Sequence, residues 1–83
     1  MIQAFKITSI KQKNIFGNVG YYRINEKILY LLAEQSNVKI NCIDQRSDFN
    51  WIIYVKGNNE ENFHIFLTNF TTYYDKTYKI EKW

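Results

Sequence analysis

The chain has no proline, one cysteine, one histidine and three glycines, and these scarcities remove several classes of protein. A single cysteine cannot close an internal disulfide, which fits a reducing, cytoplasmic setting. Cys42 lies in the alternating run VKINCID with no His or second Cys beside it, so a buried structural thiol is expected. His64 has no Ser or Cys nucleophile beside it in the sequence, and is expected as a partly exposed helix residue rather than a general base. One Cys, one His and scattered carboxylates give no ligand spacing, so neither a metal nor a cofactor is expected. Asp44 and Asp48 bracket the turn DQRSD, where turn chemistry accounts for them. The stretch FGNVGYYRINEK places Tyr-Tyr-Arg, not a glycine-rich loop, before a helix start, and so cradles no phosphate.

Long apolar runs are also missing. The longest, ILYLLA and WIIYV, are too short to cross a bilayer. The start MIQAFKITSIK lacks the charged head, apolar centre and cleavage site of a secretion signal, so a soluble, cytoplasmic chain is expected. Strong charge is absent too: eleven Lys plus Arg against eight Asp plus Glu leave +3, a mild attraction to anions and the wrong sign for a DNA mimic.

What the chain does have is apolar and aromatic side chains, 46% and 18% of 83 residues. That suffices for one modest core, so residues 1–83 are expected to form a single small domain, monomeric or a small homo-oligomer. Heavy use of Ile, Asn, Lys, Tyr and Phe without proline accompanies AT-rich coding, common in phages and mobile elements of low-GC bacteria.

Residues 2 to 10 read as a strand with Phe5 and Ile7 on one side and Ala4, Lys6 and Thr8 on the other. Gly17-Asn18 can turn the chain tightly, which suggests an extra hairpin at residues 14–24. Asn25 offers an N-cap, Ile24 can pack on Leu29 across it, and Asn37 can close a helix over 25 to 37. VKINCID alternates Val38, Ile40 and Cys42 against Lys39 and Asn41, a half-buried strand. A second helix starts at an Asn58 cap, carries the stripe Phe63, Phe66, Leu67, Phe70 and Tyr74, and stops between 70 and 75. TYKIEKW alternates Tyr78 and Ile80 against Lys79 and Glu81 as a last strand.

The order strand, helix, strand, strand, helix, strand predicts an α+β fold of ferredoxin-like βαββαβ type, with an antiparallel sheet and both helices on one face. The alternative makes residues 14–24 a fifth strand. In NWIIYVKG, Trp51, Ile53 and Val55 would face the helices, and Ile52, Tyr54 and Lys56 the open face with Lys6, Lys39 and Lys79. The predicted helices hold four carboxylates against one ammonium, a net of −3 that leaves +6 for the rest of a +3 chain.

Three readings of that open face compete: a solvated surface, a protein-docking surface, and a nucleic-acid platform using Lys6, Lys39, Tyr54 and Lys56. RNA-recognition modules of this architecture begin their third-strand signature with a basic residue and Gly and place aromatics at alternate positions. WIIYVKG does neither. The loop KQKNIFGNVGYYR supplies Phe16, Tyr21, Tyr22 and Arg23, side chains that carry binding energy in protein interfaces, or else a hairpin whose aromatics pair across strands. The expected function is a non-enzymatic binding protein, a phage or mobile-element inhibitor or regulator that blocks a host or defence protein by steric occlusion. Its expected contacts are Phe16, Tyr21, Tyr22, Arg23, Tyr54 and Lys56. The alternative is a small RNA- or single-stranded-DNA-binding module on the basic face.

Overall fold

A computed structural model describes residues 1–13, 16–17, 19–21 and 23–83. The elements are β1 (Ile2–Ser9), β2 (Gln12–Lys13), β3 (Val19–Gly20), α1 (Glu26–Gln35), β4 (Lys39–Gln45), β5 (Asn50–Lys56), α2 (Glu60–Tyr74) and β6 (Tyr78–Lys82). β1, β4, β5 and β6 form one antiparallel sheet in the order β4-β5-β1-β6. β2 and β3 pair only with each other, so the first connection holds a short hairpin based at 12–13 and 19–20, and among the described residues no fifth strand joins the main sheet. Gly17 turns with φ 82, a value that favours glycine. Asn18, the other half of the predicted turn, lies outside the described residues, as does Tyr22.

Both helices form where their caps allow. The Asn25 side chain accepts from the Lys27 N–H at 2.9 Å, and Asn37 takes φ 57 just past the end of α1. α2 begins one residue later than the sequence suggests: Asn59, not Asn58, is the cap, and its side chain accepts from Asn62 N at 3.0 Å. The predicted stripe then turns inward, with Phe63, Phe66 and Phe70 buried and Leu67 and Tyr74 half-buried. The helices meet through a buried hydroxyl. Ser36 Oγ donates to Leu32 O at 2.8 Å and accepts from Asn69 Nδ2 at 3.0 Å.

The core lies between these helices and the face of the sheet that carries Phe5, Ile7, Trp51, Ile53 and Val55. Phe5 sits 6.2 and 6.3 Å, ring centre to ring centre, from Phe63 and Phe66. Gly57 ends NWIIYVKG because a Cβ there would stand 3.0 Å from the Phe63 ring and 3.2 Å from Val38.

One strand departs from its predicted alternation. Lys39 and Ile40 face Lys56 and Val55, but after an irregularity between Ile40 and Cys42 the next pairs are Cys42 with Tyr54 and Ile43 with Ile53. A β-bulge inserts one residue and inverts the pleat beyond it. Cys42 is therefore exposed on the open face instead of buried, and Ile43 takes its place against the core.

Candidate functional site

The register sorts the open face into rows that cross the sheet. One row is Lys39, Lys56 and Ile2; the next is Cys42, Tyr54, Ala4 and Trp83; a third is Asp44, Ile52, Lys6 and Glu81; a fourth is Asn50, Thr8 and Lys79. Trp83 joins the second row because its N–H donates to Ala4 O at 2.9 Å, which extends the β1–β6 ladder by one residue. Its ring is 60% exposed and lies 5.5 Å from Lys6 Nζ, a cation–π contact.

Tyr54 and Trp83 thus stand two strands apart, about 10 Å, with only the Ala4 methyl between them. Beside them Lys39 and Lys56 face each other directly, a like-charge pair that disfavours the sheet unless an anion shares it. The face carries Lys6, Lys39, Lys56 and Lys79 against Asp44 and Glu81, and Asp44 is already held by Arg46 Nε at 2.8 Å. The four residues of the predicted nucleic-acid set therefore share one face.

The predicted protein-docking set does not hold together. The Tyr21 and Phe49 rings meet with centres 4.2 Å apart and planes tilted by 40°, and both residues remain open, 43% and 44% exposed. Arg23 reaches Asp48 at 3.8 Å between exposed side chains, a contact worth little stability in water. These four residues gather where the chain turns from β4 into β5, and Ser9 N donates to Phe49 O at 2.7 Å to tie the turn to β1. Tyr54 and Lys56 lie four and six residues beyond Asn50 on β5, about 13 and 20 Å along the strand. Phe16 is 82% exposed near the tip of the hairpin.

A hollow of about 320 Å³ opens beside the turn, lined by Arg23, Ile24, Glu26, Ile43, Gln45 and Trp51. Its lining mixes the charged Arg23 and Glu26 with Ile24, Ile43 and Trp51, a combination that can receive one inserted side chain. Sequence reasoning missed Phe49 and Asp48, for which no local signal exists. It also missed Trp83, which the alternation of β6 carried one residue further would have placed on the open face.

His64 is exposed on α2, and among the described residues no three His, Cys, Asp or Glu side chains group to hold a metal. Nor, among those residues, is any helix long and apolar enough to cross a membrane. The clearest titration shifts belong to the core edge. Tyr74 is pushed up to about 12, first by burial and then by the neighbouring Tyr78 and Tyr73 phenols, and burial raises Tyr78 in the same direction. No family model, curated protein or solved structure matches this chain.

Proposed function

We propose that this chain is a non-enzymatic binding protein of ferredoxin-like arrangement that docks on another protein and blocks or adjusts it by steric occlusion. The observation that carries the reading is the open Tyr21–Phe49 pair beside Arg23 and its hollow. Two exposed aromatics held in contact have little conformational freedom left to lose on binding, and Tyr and Arg are favoured interface anchors. Tyr54 and Lys56 drop out of this docking surface, being at the far end of β5. A small cytoplasmic regulator carried by a phage or mobile element against a host or defence enzyme fits the composition. The positive net charge argues against mimicry of DNA.

Pull-down from a low-GC bacterial lysate, with and without nuclease, tests it. A nuclease-resistant partner should be captured, and Tyr21→Ala or Phe49→Ala should weaken it by about 2 kcal/mol, roughly 30-fold. Capture that survives both substitutions in folded protein sinks the reading.

A second reading, single-stranded nucleic acid on the open face, is favoured by the row of Tyr54, Ala4 and Trp83 next to paired Lys39 and Lys56. There Tyr54→Ala or Trp83→Ala should cost about 1 to 3 kcal/mol through lost stacking. The double Ala variant of Lys39 and Lys56 should flatten the salt slope by up to roughly 1.4 units. Submicromolar binding to RNA or single-stranded DNA at physiological salt, lost with Tyr54, would replace the first reading by this one.

A further inference from the structure

The two edges of the sheet are built differently. β4 is interrupted by its bulge, a device that discourages pairing with another strand. β6 runs without register shift beside β1, and as the last strand of the sheet it has no strand partner on its outer side among the described residues. Thr77 O accepts from Ile10 N and Trp83 N donates to Ala4 O, both at 2.9 Å, so the odd residues from 77 to 83 point their backbone groups inward. By alternation, Tyr78, Ile80 and Lys82 aim their N–H and C=O groups outward.

We propose that the occupant of this edge is a second copy of the same chain, paired antiparallel about a two-fold axis at Ile80. In that register Ile80 faces Ile80 of the second copy, Tyr78 faces Lys82, and Lys79 faces Glu81, each contact repeated by symmetry. The outward backbone groups of Tyr78, Ile80 and Lys82 then meet outward groups of the other copy. Opposite charges stand directly across the seam on the open face. The alternatives lose this match: an axis at Lys79 sets Lys against Lys, an axis at Glu81 sets Glu against Glu, and a slip by one residue turns inward groups toward outward ones. On the helix side, Ile80 of the second copy meets a hollow of about 500 Å³ whose apolar lining is Ile10, Tyr78 and Ile80, with Thr71, Asp75, Lys76 and Lys79 around it. The two open faces join into one continuous surface.

Sedimentation equilibrium of the full chain tests the proposal. The expected result is a dimer with a dissociation constant on the order of 10 µM, weakened by salt. Lys79→Glu alone places Glu against Glu and should give monomer; Glu81→Lys alone places Lys against Lys and should do the same. An equimolar mixture of the two variants restores opposite charges at both seam positions and should return the dimer. Thermal melts of each variant establish that both are folded, as expected for changes at exposed positions. A monomer at all concentrations up to about 1 mM, a dimer indifferent to both single changes, or a mixture that fails to associate overturns the proposal.

Discussion

The two faces of β5 bury side chains by different means. On one, Trp51, Ile53 and Val55 are covered by helices whose phenylalanines reach down to the sheet. On the other, no helix packs among the described residues, yet Ile52 is 0% exposed. It stands between Lys6 and Asp44 in register, with Asn50 and Tyr54 to either side along its own strand. All four of these polar neighbours are half-buried, as side chains are when their stems lie over an apolar neighbour and their heads stay in water. An open sheet face is therefore not uniformly wet. It can hold a second, thin apolar layer roofed by the same lysine and tyrosine that would meet a ligand.

Substitutions separate the two layers. Phe66→Ala empties the centre of the helix-covered core and should cost about 3 to 5 kcal/mol, read as a large fall in denaturation midpoint. An unchanged midpoint would mean the stripe of α2 does not carry the fold. Ile52→Ala should cost about 2 to 4 kcal/mol although no helix among the described residues covers it. A loss within about 0.5 kcal/mol, typical of surface positions, would show that polar stems do not make a true apolar layer.

Tyr74 probes the rim of the core. Its hydroxyl is buried and has no hydrogen-bond partner among the described residues. Tyr74→Phe should therefore stabilise the protein at neutral pH by about 1 kcal/mol. Because its folded value is raised from 10.0 to about 12, the contribution of the neutral phenol is complete below pH 10 and is lost as pH climbs through about 12. Alkaline unfolding should begin above pH 10, and the Phe variant should resist it further. An identical alkaline profile for both proteins would argue that Tyr74 is not desolvated.

The smallest expected effect falls on the open face. Cys42→Ser should change stability by less than about 0.5 kcal/mol, and native Cys42 should react with a thiol reagent at the rate of an accessible side chain. Protection until unfolding would restore the buried thiol that unbroken alternation predicts. His64→Ala, at an exposed site, should likewise leave partner binding intact.

The sequence by itself determined the elements whose signal is local. The 3.6-residue recurrence of Phe63, Phe66 and Phe70, the alternation of NWIIYVKG and YKIEK, and the Asn25 cap each follow from backbone geometry that neighbouring residues share. Tertiary structure alone decided the rest. Nothing within VKINCID distinguishes unbroken alternation from a bulge after Ile40. The choice depends on how β4 must meet β5 to bring Ile43, and not Cys42, against the core. The contact of Tyr21 with Phe49 and the approach of Trp83 to Lys6 likewise join residues far apart in the chain. Periodicity tells which way a side chain points along its own strand, but the neighbour it finds there is set by register between strands, a property of pairs of segments that neither segment contains.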